Sequence, residues 1–288
     1  MIDKTQTNAV AIGIFDGVHI GHRRVIEIAA SQAGRTLACT FDTATITTKG
    51  AGYRPIYDCD TKRRILTSLG IDDVYSMDLG RIKGLSGDTF FTEILYYRLK
   101  AHTVVCGQDF RFGKGAAFGV EELGALCSSH GVKLIAVDEV MDGAEKVSSA
   151  AIRKLIASGD MAYADRLLGE PYMLRGEVVR GRRLGSQIGF PTANIIMDGS
   201  RVMPAFGVYK SYTVVDGKRC ESISNIGVKP TVGSEVPLCE THIPGMSGDM
   251  YGKTIEVRLI SMIRPERKFG GIDDLKAQIA ADIDTLKG

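Results

Sequence analysis

From the N-terminus, short apolar runs alternate with stretches whose apolar residues recur at helical spacing. Residues 9–15 are almost wholly apolar and end at Asp16-Gly17. From 21 to 33, Val25, Ile26, Ile28 and Ala29 keep the three- and four-residue intervals of one helix face. The same alternation predicts strands over 35–41, 74–77, 103–106 and 133–137, and helices over 60–69, 88–100 and 120–130. Short apolar strands separated by helices pair in parallel and build an open, doubly wound sheet, which takes ligands at the carboxyl ends of its strands. Two further helical stretches follow, over 148–160 and 161–168.

The texture changes at Gly169-Glu170-Pro171. Beyond it, runs of β-branched and apolar residues (177–179, 207–215, 221–225 and 255–260) are broken by Gly, Pro, Asn and Asp, and a single helical pattern closes the chain over 272–286, with Leu275, Ile279 and Ile283 on one face. That pattern predicts an antiparallel β-barrel closed by a terminal helix. The division falls into a domain over 1–168 and a second over 169–288, in keeping with 288 residues at roughly 100–200 per domain.

Composition narrows the function classes. Thirty-six Lys and Arg against 34 Asp and Glu give a net charge of +2, so nothing in the charge balance calls for a nucleic-acid or membrane surface. No apolar run is long enough to span a bilayer, and the first residues lack the basic leader and cleavage site of a secretory signal, which predicts a cytoplasmic protein. The six cysteines are scattered with no C-x-x-C pair and read as reduced thiols. The expected partners are therefore small molecules, with the protein a monomer or weak homo-oligomer.

The densest chemistry lies at Gly13-Ile-Phe15-Asp16-Gly17-Val-His19-Ile-Gly21-His22, where a strand stops and a helix starts. Glycines let backbone approach a ligand, and a helix N-terminus presents free N–H groups to phosphate. Two imidazoles three residues apart can donate to phosphate oxygens and stabilise the transition state of a nucleotidyl transfer. A zinc pair is the other use of two such histidines, and no third ligand stands nearby. Ser148, Ser149 and Arg153, at the start of a helix, make a second phosphate grip of hydroxyls, N–H groups and a fixed cation. In the second half, phosphorylation of an alcohol needs oxygen ligands for a metal–nucleotide and a carboxylate to take the hydroxyl proton. Thr192 and Asn194 offer the former and Glu240 the latter. The four arginines of the 175–183 stretch add positive charge before the glycine-rich 185–189 loop.

The first motif resembles the G-x-F-D-G-x-H-x-G-H element of the nucleotidyltransferase superfamily. Asp109-Phe110-Arg111-Phe112-Gly113, with Ser148-Ser149 through Arg153, resembles the D-F-R-F-G and I-S-S-T-x-I-R segments of bacterial bifunctional FAD synthetases. Gly185 through Gly189-Phe190-Pro191-Thr192-Ala193-Asn194, Asn225 through Thr231, Glu240-Thr-His242 and Arg264-Pro265-Glu266 are similar, in order, to the riboflavin kinase segments of that family. The resemblance implies a Rossmann-like nucleotidyltransferase sheet joined to a riboflavin kinase-like barrel. It implies riboflavin, FMN, FAD and ATP as substrates or products, with Mg²⁺ as cofactor. ATP for adenylyl transfer would lie against Gly13, Phe15, Asp16, Gly17, His19, Gly21, His22, Ser148, Ser149 and Arg153, and the flavin against Asp109, Phe110, Arg111 and Phe112. In the barrel, ATP and the metal would meet Gly185, Gly189, Phe190, Pro191, Thr192 and Asn194, with Thr192 and Asn194 as metal ligands. The flavin would meet Glu240 and Arg264. His19, His22 and Glu240 carry the implied catalysis.

The chain departs from the family pattern at Asp42-Thr43-Ala44-Thr45, where a proline–histidine–proline element is usual, and at Ala116, Ala150, Ser186 and Pro244-Gly245-Met246. The losses around the adenylyl site leave an alternative, a monofunctional riboflavin kinase with a degenerate N-terminal domain. A non-catalytic flavin binder is a third reading, against which stands a base, Glu240, beside a metal–nucleotide loop.

Overall fold

The structure is a computed structural model that describes residues 7–46, 52–181, 185, 188–231, 234–246 and 248–287. The chain divides into two compact units, Met1–Ser149 and Ala150–Gly288.

In the first unit, strands β1 (Asn8–Ile12), β2 (Arg35–Phe41), β3 (Asp73–Met77), β4 (Ala101–Gly107) and β5 (Lys133–Val137) form one parallel sheet in the order β3-β2-β1-β4-β5. The near-continuous apolar character of β1 and β4 follows from this: both are central and buried, as a parallel sheet covered on its faces requires. Helices α1 (Ile20–Ala30), α2 (Cys59–Ser68), α3 (Leu79–Ile82), α4 (Gly87–Thr89) and α5 (Val120–Ser129) connect the strands. The expected 88–100 helix is instead a π-helix over Phe90–Arg98. Its buried residues Phe90, Phe91 and Leu95, with Leu99 beyond, recur at intervals of four to five, and Leu99 N donates to Ile94 O, the i→i+5 bond of that form. A two-residue-per-strand hairpin, β6 (Met141–Asp142) and β7 (Glu145–Lys146), was not legible in the apolar pattern.

Helix α6 (Ser149–Ser158) crosses the division, and α7 (Met161–Leu168) packs on the barrel, so the compact units part some twenty residues before the change of texture at Gly169. The barrel is closed, in the order β10-β11-β12-β9-β8-β13. Its strands are β8 (Tyr172–Val179), β9 (Thr192–Ile196), β10 (Gly207–Val215), β11 (Lys218–Thr231), β12 (Ser234–His242) and β13 (Thr254–Pro265), all antiparallel to their neighbours. Inside it, Thr213, Ser222, Ser211, Ser224 and Thr241 form a chain of buried hydroxyl contacts at 2.8–2.9 Å, so its polar inward residues satisfy one another. The terminal helix α8 (Ile272–Asp284) follows. Leu275, Ile279 and Ile283 are half-buried as expected, but the one fully buried residue of α8 is Asp282.

Candidate active sites

β1 and β4 are neighbours at the point where the winding of the parallel sheet reverses. The loops that leave their carboxyl ends, 13–19 and 108–119, therefore flank the crevice where such sheets bind ligands. Gly13 to His19 of the first motif and Asp109 to Gly113 of the second sit on these loops, and Gly21 and His22 follow in the first turn of α1.

The 13–19 loop is bent tightly. Gly17 has φ 83°, and Phe15 and Val18, neither of them glycine, have φ 51° and 45°. A β-branched residue in that region is a true outlier, of the kind that persists only where surrounding contacts over-determine it. Those contacts are present. Buried Asp16 accepts from Ile56 N and from the Tyr53 hydroxyl, each at 2.8 Å, and Ser149 Oγ donates to Asp16 O at 2.8 Å. Thr40 Oγ1 donates to Ile14 O at 2.9 Å.

His19 caps α1: its Nδ1 accepts from His22 N at 3.3 Å, and the two imidazoles stack with centroids 3.6 Å apart. Phe15 meets His22 edge-on at 5.4 Å. Burial pushes His19 down to about 4, outweighing the nearby Asp109 carboxylate that favours its charged form. The ring is thus neutral at pH 7, and with Nδ1 used as acceptor its proton rests on Nε2, leaving an N–H donor. A Cβ on Gly21 would press on the His19 ring at 3.2 Å, which accounts for glycine there. Gly13 lies against the Phe15 ring in the same way.

On the opposite loop, Phe110 and Phe112 stack at 5.6 Å, and Phe112 is buried in the core against Phe90 and Phe118. Arg111 closes its own turn, donating from Nε to Ala116 O at 2.7 Å and from Nη2 to Ala117 O at 3.1 Å. Asp109 pairs with Lys146 of β7 at 2.6 Å. Where proline–histidine–proline is usual, Asp42 caps a 3₁₀ turn over Thr43–Thr45 and accepts from Cys59 Sγ at 2.9 Å, which holds its carboxyl below the usual range. Ser148 and Ser149 stand at the start of α6, and Arg153 lies one turn on, in the second unit.

In the barrel, one rung crosses three strands: Asn225 on β11 faces Glu240 on β12, which faces Asn194 on β9. His242 and Thr192 form a neighbouring pair two residues along. Together with Gly185, Phe190, Arg264 and Asp282, these residues line a cavity of about 610 Å³ bounded by the α8 residues Leu275 and Ile279. Gly189, with φ 94°, turns the loop that enters β9, and Phe190 N closes on Gly185 O at 2.7 Å; a Cβ on Gly185 would stand 2.3 Å from Phe190 O. The Pro191 carbonyl contacts His242 Nδ1 at 2.8 Å. Gly181 packs on the Asn194 amide, and Asn194 Oδ1 is buried with no hydrogen-bond partner among the described residues. A buried acceptor left open in this way suits a cation.

Arg264 is held from α8. Its Nη2 lies 2.8 Å from Asp282 Oδ2, its Nε contacts both carboxylate oxygens, and Gln278 donates to the same group at 2.7 Å. Phe269 lies 5.6 Å from the Arg264 guanidinium. Two cavity residues had no site role in the motif reading: Asn225, which begins one of the motifs, and Asp282, which belongs to none. Asp282 had a visible signal, an acid beside Ile279 and Ile283 on the apolar stripe of α8. Ser186 and the Arg182 and Arg183 charges lie outside the described residues.

The family model described as FAD synthetase matches residues 1–151, and that described as riboflavin kinase matches residues 168–288. A bifunctional riboflavin kinase/FMN adenylyltransferase of Escherichia coli K12 is 32% identical over 282 residues, covering 95% of this chain and 90% of its own length. The protein of the same name from Bacillus subtilis 168 is also 32% identical, over 98% and 92%. A crystal structure described as a macrolide-efflux protein from Streptococcus pneumoniae matches with a TM-score of 0.87 at 28% identity, over 99% of this chain and 95% of that one. In the present chain no helix among the described residues is long and apolar enough to cross a membrane.

Proposed function

Since the chain belongs to the bacterial bifunctional riboflavin kinase/FMN adenylyltransferases, the FAD synthetases, we propose that it carries both activities in one polypeptide: phosphorylation of riboflavin by ATP to give FMN and ADP, then adenylylation of FMN by ATP to give FAD and pyrophosphate. The adenylyltransferase domain is assigned to 1–168 and the kinase domain to 169–288.

In the kinase centre, Glu240 takes the proton of the ribityl 5′-hydroxyl, whose oxygen attacks the γ-phosphorus of ATP while ADP leaves. Thr192 and Asn194 are the residues that would hold Mg²⁺, which when bound neutralises phosphate charge; the open Oδ1 of Asn194 supports that assignment. Arg264, fixed by Asp282, orients the flavin. In the adenylyltransferase centre the FMN phosphate attacks the α-phosphorus of ATP and pyrophosphate leaves. His19 Nε2–H, His22 and the first N–H groups of α1 hold the phosphates, and Asp109, Phe110 and Arg111 lie on the facing loop, where FMN is placed. Ser148, Ser149 and Arg153 complete the nucleotide grip.

The observation that carries this reading is the rung Asn225–Glu240–Asn194, which sets a carboxylate beside a buried amide oxygen that has no hydrogen-bond partner among the described residues, in a cavity of about 610 Å³. A kinase with a silent first domain has less support, because the nucleotide loop keeps its histidine pair and its bracing in spite of the altered 42–45 segment. The test is a pair of variants. Glu240→Gln is expected to lower FMN formation from riboflavin at least about a hundredfold and leave FAD formation from FMN unchanged, and His22→Ala is expected to do the reverse. Equal loss of both activities in either variant would contradict separate centres.

A further inference from the structure

We propose that Lys62 is a positioning residue for adenylyl transfer, its buried ammonium tying the carboxyl ends of β1 and β2 together so that the nucleotide loop keeps its strained shape. The inference rests on assigning that loop to ATP.

Lys62 lies in the first turn of α2 and is 1% exposed. An ammonium has three donors, and here Nζ reaches three neutral oxygens: Phe41 O at 2.6 Å, Thr40 Oγ1 at 3.2 Å and Ile14 O at 3.3 Å. Two of these belong to the exit of β2. The third, Ile14 O, immediately precedes Phe15, the first of the left-handed residues in the loop. Thr40 bonds the same carbonyl, so Ile14 O is fixed from two sides.

The other anchors of the loop come from the same stretch of chain, since Tyr53 and Ile56 hold the Asp16 carboxylate. Residues 53–62 therefore act as one brace under the loop, with Lys62 buried at its end. A methionine would fill the same volume without the desolvation that a buried ammonium incurs, so packing alone does not call for lysine here. Lysine supplies donors to carbonyls that have left the sheet, and a positive charge behind the loop that faces the triphosphate. The groups that face it are Asp16 from the loop, Asp42 from the end of β2 and Cys59 from α2.

The experiment compares wild type, Lys62→Met and His22→Ala in full-length protein, reading FAD formation from FMN against ATP concentration between pH 6 and 10. FMN formation from riboflavin and thermal unfolding are followed in parallel. The expected result is that Lys62→Met lowers kcat/KM for ATP in FAD formation about a hundredfold, the scale on which a displaced site loses rate. Its unfolding temperature is held and its FMN formation unchanged. Wild-type FAD formation should also decline as pH passes about 8, where burial has lowered this lysine, and the variant should lack that limb. FAD formation within threefold of wild type, or a loss accompanied by an equally lowered unfolding temperature, would overturn the inference. If His22→Ala too left FAD formation intact, the assignment of the loop to ATP would fall with it; if only Lys62→Met did so, the inference alone would fall.

Discussion

At the scale of single residues, the chemistry depends on which polar groups are buried and what they touch. His19 is the clearest case: its low pKa follows from burial, and the cap it gives to His22 N dictates its tautomer. FAD formation should accordingly show no acid limb from this residue between pH 5 and 7, and NMR titration of the His19 ring should give a midpoint near 4. His19→Asn keeps a good N-cap while removing the Nε2–H donor. It should lower FAD formation by about 10²–10³ with α1 still formed, as judged by amide exchange. The sequence marked both histidines as phosphate donors, but not that one of them also begins the helix.

Asp282 and Lys62 were less legible. Lys62 lies beside Arg63 and Arg64 in a run that looks solvent-facing, and Asp282 shows only as an acid next to the apolar stripe of α8; tertiary packing is what turns each of them inward. Because Asp282 neutralises Arg264 in a nearly buried pair, Asp282→Ala leaves an uncompensated cation. It should destabilise the barrel unit by about 3 kcal/mol in urea unfolding and raise the KM for riboflavin.

At the scale of elements, a strand buried on both faces leaves a nearly continuous apolar signal, so the alternation of apolar runs predicted the strands of the parallel sheet to within two residues, except that β1 ends at Ile12, three residues before the apolar run does. The barrel was harder to read. β9 follows Pro191 and is only five residues long, and β12 carries Pro237 in its middle, a residue that argues against a central strand; neither is among the strands the apolar runs predict, yet they hold Thr192, Asn194 and Glu240. The motif series marked those residues where periodicity did not.

The junction of α7 with the barrel carries its own titration. Burial raises Asp165 to about 7, although Tyr172 N donates to it at 2.9 Å and Arg258 lies near. The folded state therefore binds this proton more tightly than the unfolded chain between pH 4 and 7, so stability is present at the acid end of that window and is lost as pH rises through 7. The barrel unit should melt at a lower temperature at pH 8 than at pH 5. Asp165→Asn, which keeps an acceptor for Tyr172 N, should flatten that dependence in calorimetric scans.

At the scale of the whole molecule, two architectures with separate cores and separate chemistries share one chain, and the product of the barrel is the substrate of the sheet domain. The departure at Asp42–Thr45 bears on this coupling alone. The structure replaces the expected element with a capped 3₁₀ turn braced by Cys59 and leaves the histidine pair and Asp16 contacts in place. The most direct measurement is a chromatographic time course of purified protein with riboflavin, ATP and Mg²⁺, repeated with FMN as the starting flavin. FMN should rise and give way to FAD in the first, and FAD should form without a lag in the second. Accumulation of FMN in the first, with FMN untouched in the second, would contradict a working adenylyltransferase in this chain.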